Sequence, residues 1–276
     1  MNFPNEKRKK IMKRPVWADN LLIEFTLIQN LVPQFPFVAM DTEFPGVFFK
    51  PATVVETPYP KGPDQVYEVL RANVDVLNLI QVGLTLSDAD GNLPHHRWDC
   101  NYIWEFNFRD FDIHRDLYAS DSIKLLEENG INFEENRLKG ICSIQFAELM
   151  MSSGILFGNN VTWVTFHGAY DFAYLLKILI RQSLPRTLKE FMELVSLVFG
   201  ENVYDVKYMM KFCDGLYGGL ERLGKTLGVD RAIGQCHQAG SDSLLTSQSF
   251  FKLEKTYFNG NIGKHARILY GLNDMS

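Results

Sequence analysis

The chain has 276 residues, 46% of them hydrophobic and including 21 Phe and 11 Tyr, with 28 Lys and Arg against 33 Asp and Glu for a formal charge of -5. That composition excludes a disordered or low-complexity chain and is ample for one continuous core, while the acidic balance argues against gripping duplex nucleic acid through a broad basic surface. Cysteines at 100, 142, 213 and 236 form no C-x-x-C pair, so the pattern suggests neither a thiolate zinc site nor a disulfide framework, and the thiols are expected to be reduced.

In chain order, Lys7-Arg8-Lys9-Lys10 with Lys13 and Arg14 reads as a basic arm over residues 1–14, fit for nuclear import, for nucleic acid or simply for solvent. The apolar run from Phe35 predicts a strand over Phe37–Phe44. Near its end Asp41 and Glu43 project to one face and Thr42 to the other. Two carboxylates on one face can hold a hard cation, although taken alone the pair also reads as the start of a solvated loop. Pro51 to Pro63 carries four prolines and predicts a surface loop before Val66–Ala72. Strands over Leu77–Leu86 and Arg97–Phe106, separated by the turn formers Ser87 to Pro94, complete a meander. From Ser120 the apolar spacing becomes helical, with caps expected at Ser120 and Ser143.

Val161–Phe166 predicts a strand, His167-Gly168 a turn and Ala169–Ile180 a helix with Asp171 in its first turn. The helix dipole favours a carboxylate there, beside the strand end where open α/β sheets bind ligands; a cap that only stabilises the helix fits as well. A helix over Thr187–Phe199, an extended Val203–Asp205 and a helix over Val206–Phe212 follow. Lys207 and Lys211 share a face of the last, open to phosphates or to solvent. Gly218-Gly219 precedes a helix over Leu220–Leu227. Finally, His237 lies in a turn five residues before Asp242, at the start of a helix running through Phe250 and Phe251. A histidine so placed can take a proton in front of the aspartate, or can be a hydrogen-bonded structural residue. No apolar run reaches the ~18 residues of a membrane span, and the N-terminus lacks the apolar segment of a signal peptide. A soluble protein of cytoplasm and nucleus, with no membrane partner, is expected.

Asp41-x-Glu43, Asp171 and His237-x-x-x-x-Asp242, in that order, resemble the signature of DEDD-type 3′-to-5′ exonucleases of the histidine variant. The longer strings Val38-Ala-Met-Asp-Thr-Glu-Phe-Pro-Gly46, Leu79-Ile-Gln-Val-Gly-Leu-Thr85, Tyr102-Ile-Trp-Glu-Phe-Asn-Phe108, Tyr204-Asp-Val-Lys-Tyr208 and His237-Gln-Ala-Gly-Ser-Asp-Ser-Leu-Leu-Thr246 are similar to the Caf/Pop family of deadenylase subunits of Ccr–Not complexes. The resemblance runs from about Arg14 to Leu272. It implies a single α/β domain over residues 15–272 with the ribonuclease-H-like exonuclease fold, a mixed central sheet flanked by helices, and a short tail at 273–276. It also implies a metal-dependent exoribonuclease that shortens mRNA poly(A) tails and releases 5′-AMP. In that reading Asp41, Glu43, Asp171 and Asp242 hold two divalent ions, Mg²⁺ or Mn²⁺ as an all-oxygen donor set prefers, and His237 is the general base. The implied partners are single-stranded poly(A) RNA, a Not-type scaffold subunit and a Ccr-type nuclease. The competing readings are a non-catalytic adaptor that keeps the fold and a phosphatase using the same acids. One string departs from the family: His-Ser-Gly-Tyr-Asp-Phe-Gly-Tyr stands here as His167-Gly168-Ala169-Tyr170-Asp171-Phe172-Ala173-Tyr174. Moving the glycine is expected to alter the turn that aims Asp171.

Overall fold

The computed structural model describes residues 10–55, 59, 62–96, 100–158 and 160–274. Its strands are β1 (Lys10–Val16), β2 (Phe37–Glu43), β3 (Gln81–Ser87), β4 (His95–His96), β5 (Cys100–Asn107), β6 (Thr162–Thr165) and β7 (Val203–Asp205). The α-helices are α1 (Leu21–Leu31), α2 (Pro51–Val54), α3 (Pro63–Val74), α4 (Ser120–Glu128), α5 (Phe133–Lys139), α6 (Ser143–Ser152), α7 (Ala169–Ile180), α8 (Leu188–Phe199), α9 (Val206–Met209), α10 (Leu220–Leu227) and α11 (Ala239–Leu253). They build one mixed sheet in the order β1-β5-β3-β2-β6-β7, with β4 paired to β5. The antiparallel meander β2-β3-β5 is the expected one, and β2, β6 and β7 run parallel.

Both faces of the sheet are covered, and strand alternation sorts the side chains between them. Val38, Met40 and Trp163 enter the larger core, with Phe146 of α6, Phe172 of α7 and Phe191 of α8. Ala39 and Val164, one residue along, enter a smaller core with Met209, Leu223 and Phe250. Asp41 and Glu43 therefore share the α11 side with Ala39, and Thr42 lies on the α7 side. Among the described residues no helix is long and apolar enough to cross a membrane.

Several expectations need correction. Residues 10–14 of the basic arm belong to the edge strand β1, parallel to β5. There Lys13 pairs with Glu105 at 2.7 Å and Arg14 with the buried Glu24 at 2.7 Å. These two cations are consumed internally; residues 7–9 lie outside the described residues. The proline-rich stretch contains α2, and Pro63 at the first position of α3 starts that helix ahead of Val66, a place where its missing N–H costs nothing. The loop residues 56–58, 60 and 61, and residues 97–99 of the predicted strand, lie outside the described residues. Ser120 and Ser143 are the first helical residues and not caps. Asp110 instead accepts the Ser143 N–H and hydroxyl, at 2.9 and 2.8 Å. The helix predicted over Val206–Phe212 closes as α9 plus a 3-10 turn. Its two lysines are engaged, Lys207 with the Gly218 carbonyl and Lys211 with Asp274, so neither is a free phosphate contact. Of the tail, Asn273 accepts the Leu269 N–H at 2.7 Å, and residues 275 and 276 lie outside the described residues.

Candidate active site

Four of the five predicted residues come from the ends of elements that meet at the C-terminal end of β2, inside the sheet. Asp41 and Glu43 leave β2 on the side where α11 packs. Across the ladder, Asp41 faces Gly83 of β3. A methyl group on Gly83 would lie 1.9 Å from the Ala239 carbonyl oxygen, so the missing side chain lets the N-terminus of α11 sit directly on the strand. Small residues along α11 keep that approach close, and Ser243 Oγ meets Thr85 Oγ1 at 2.9 Å. Asp242, in the first turn of α11, thereby joins the β2 pair: oxygens of Asp41, Glu43 and Asp242 all lie within 4.8 Å of one another.

Asp171 arrives from the other side of the sheet. It occupies the first turn of α7, and its Oδ1 accepts the Thr42 hydroxyl at 2.6 Å. Its oxygens lie outside the tight group of three, although its charge is felt by both Asp41 and Glu43. The turn before it is built without a left-handed glycine. His167 is the left-handed residue, at φ 64°, and a methyl on Gly168 would meet the Thr165 side chain at 2.1 Å. A serine here, as in the family string, would require the Thr165 side chain to shift. Buried Asp205 holds it, accepting the N–H groups of His167, Gly168 and Tyr270 at 2.9, 3.1 and 2.9 Å.

Burial and mutual repulsion dominate the electrostatics. Burial, then Asp242, Asp171 and Glu43, hold the Asp41 carboxyl well above its usual range. Burial, then Asp242, Asp171 and Glu105, do the same to Glu43. Burial pushes Asp171 up to about 7 against the opposing Thr42 hydroxyl, and raises Asp242 against the pull of Arg231. Crowded carboxylates with raised proton affinity are the electrostatic condition that a bound cation relieves. The donor atoms are all oxygens, which fits Mg²⁺ or Mn²⁺.

His237 stands in the turn before α11 in a left-handed conformation, φ 60°, a costly state for a residue other than glycine. Its N–H donates to Asp242 Oδ2 at 2.8 Å. Arg231 holds the same turn from outside, meeting Asp242 Oδ1 at 2.6 Å, Glu221 at 2.9 Å and the Gln235 carbonyl at 3.2 Å. Arg231 is not legible in the sequence, since a lone arginine eleven residues before an aspartate carries no pattern. Asp205 stands within Tyr204–Tyr208 with one local signal, an acid flanked by apolar residues in a short strand, which by itself assigns it no task.

A model of the family described as CAF1 family ribonuclease matches residues 16–152 and 145–250. The chain is 52% identical over 267 residues to the Arabidopsis thaliana protein "Probable CCR4-associated factor 1 homolog 7", covering 96% of this chain and 95% of that one. It is 44% identical over 260 residues to "Poly(A) ribonuclease pop2" of Schizosaccharomyces pombe, covering 94% of this chain and 74% of that protein. The structure of S. pombe Pop2p in its Mg²⁺- and Mn²⁺-bound form superposes with a TM-score of 0.86 at 43% identity, over 94% of this chain and 99% of that one. Yeast CAF1 co-crystallised with the NOT1 MIF4G domain gives a TM-score of 0.77 at 33% identity, over 98% and 100%.

Proposed function

Because the chain belongs to the CAF1 family of ribonucleases, we propose that it is a metal-dependent 3′-to-5′ exoribonuclease that removes poly(A) tails and works within a Ccr–Not-type assembly. The observation that carries this reading is the convergence of Asp41, Glu43 and Asp242 within 4.8 Å, with His237 bonded to the last of them. The name of pop2 as a poly(A) ribonuclease and the cations in the Pop2p structure support the substrate and the metals. The yeast co-crystal supports a Not-type scaffold as partner. A Ccr-type nuclease as second partner rests on the name borne by the Arabidopsis relative.

Asp41, Glu43, Asp171 and Asp242 would hold the cations. Divalent ions held there would supply charge neutralisation for the carboxylates and Lewis-acid polarisation of a phosphate. His237, anchored through its own N–H, accepts the proton of the attacking water. Asp171 closes the site from the α7 side, its orientation set by the Thr42 hydroxyl and by the Asp205-bound turn. A formal charge of -5 repels RNA at long range, so delivery of the tail by the assembly compensates for weak intrinsic capture.

The test is incubation of the purified chain with Mg²⁺ and oligo(A) labelled at its 5′ end. A ladder of products shortened one nucleotide at a time, with 5′-AMP released, is expected. His237→Ala should slow it by about 10²–10⁴-fold, the usual worth of a general base, and Asp41→Ala should abolish it. An uncut substrate would leave the adaptor reading, and phosphate release without shortening the phosphatase. An Asp41→Ala variant trimming at the wild-type rate would falsify the site.

A further inference from the structure

Cys236 immediately precedes His237, and its Sγ, a ring nitrogen of His237 and a carboxylate oxygen of Asp242 all lie within 4.8 Å of one another. Adjacent residues of an extended chain point to opposite sides. Here the left-handed turn at His237 folds the backbone so that both side chains converge on the start of α11. That turn is not loose. It is pinned by the His237 N–H on Asp242 Oδ2 at 2.8 Å and by Arg231 on the Gln235 carbonyl at 3.2 Å. Cys236 and His237 are each only partly buried, which leaves a route in from solvent.

Thiol sulfur, imidazole nitrogen and carboxylate oxygen make a donor set suited to zinc, with three protein ligands and an open fourth position. A hard cation such as Mg²⁺ prefers the all-oxygen set of Asp41, Glu43 and Asp242. We propose that Cys236, His237 and Asp242 form a zinc site that shares Asp242 with the oxygen cage, and that zinc bound there switches the enzyme off by occupying His237. The inhibitory half rests on the nuclease reading above; the binding half does not. On binding, a zinc–sulfur bond replaces the sulfur–hydrogen bond, the proton passes to solvent, and no oxidation state changes. The cysteine spacings hid this site because its ligands come from one turn and one helix start, not from paired thiols.

Cobalt(II) titrated into the metal-stripped full chain reports thiolate ligation through its sulfur-to-metal absorption band. The band is expected in the wild type and in Asp41→Asn, is bleached by added zinc, and is absent in Cys236→Ser. In a second arm, buffered zinc is added to oligo(A) cleavage in excess Mg²⁺, with each protein referred to its own zinc-free rate. Cys236→Ser should need at least about 10–100-fold more zinc for half-inhibition, since changing even the groups that only support a metal's ligands weakens binding on that scale. A wild-type chain without the thiolate band, or a Cys236→Ser chain inhibited at the wild-type zinc level, overturns the proposal. If Mg²⁺ alone supports no cleavage, the nuclease reading fails, and presence or loss of the cobalt band still decides the zinc site.

Discussion

Arg231 is the cation that the acid cluster carries with it. It meets Asp242 at 2.6 Å while nearly buried, and it is the group that lowers the proton affinity of Asp41 against three neighbouring acids. A divalent ion would supply the same neutralisation, so Arg231 matters most when no ion is bound. Arg231→Gln should therefore destabilise the metal-free chain by about 1–3 kcal/mol, the range for losing a charged hydrogen-bond partner of a buried group. Added Mg²⁺ should restore most of that loss. Thermal unfolding in chelator and in Mg²⁺ checks it: equal losses under both conditions would show that Arg231 is only a structural clamp.

His265 behaves differently. It is buried against Phe212, Phe258 and Tyr208, and among the described residues neither ring nitrogen has a hydrogen-bond partner. Burial, with help from Lys264, lowers its proton affinity below the ordinary 6.5. A histidine with a depressed value binds its proton better in the unfolded chain, so stability is retained above pH ~6.5 and lost as pH falls below it. His265→Leu should remove this dependence. Its stability relative to wild type should rise between about pH 8 and pH 5 in urea titrations, and a constant difference would contradict the argument.

At the scale of elements, the seating of α11 on β3 decides whether the site exists. Gly83→Ala would push a methyl into the Ala239 carbonyl, and neither the helix N-terminus nor the central strand can yield cheaply. Overpacking of this kind costs about 1–3 kcal/mol. Because Asp242 rides on the displaced helix, activity should fall by more than stability alone explains; the paired readout is the urea midpoint and the oligo(A) rate at a temperature where the variant stays folded.

The same elements show what a sequence discloses. β2, β6, α7 and α11 were legible because apolar runs and helical spacing are local, and the acids and histidine stand at their ends. β1 was not: residues 10–14 read as part of a basic arm until Glu105 of β5 and Glu24 of α1 neutralise Lys13 and Arg14 respectively. The caps failed for the same reason, since the group that satisfies the start of α6 is Asp110, about thirty residues upstream. Tertiary partners override local preference wherever a polar group is buried.

At the scale of the whole molecule, the acid cluster makes stability depend jointly on pH and metal. A carboxyl whose proton affinity is raised in the fold is most stabilising while protonated, and that contribution is lost as pH rises through the raised value. For Asp171 the window runs from the ordinary 3.8 to about 7, and the raised values of Asp41, Glu43 and Asp242 act in the same direction. The metal-free chain should therefore lose stability from pH ~5 towards pH ~8, the opposite of the trend from His265. A cation that binds only the folded cluster opposes this loss. At a concentration 100-fold above its Kd it adds about 2.7 kcal/mol, which for a domain of this size raises Tm by on the order of 5 °C. Protons compete for the same oxygens, so the Mg²⁺-induced shift should be larger at pH ~8 than at pH ~6. Asp41→Asn removes one ligand and part of the repulsion together; its metal-free form should be more stable than wild type at pH ~8, with little or no Mg²⁺ shift. Differential scanning calorimetry of the two proteins at both pH values, with and without Mg²⁺, measures all of these terms. A wild-type shift that is absent, or that shrinks as pH rises, would mean that the three converging carboxylates are not where the cation binds.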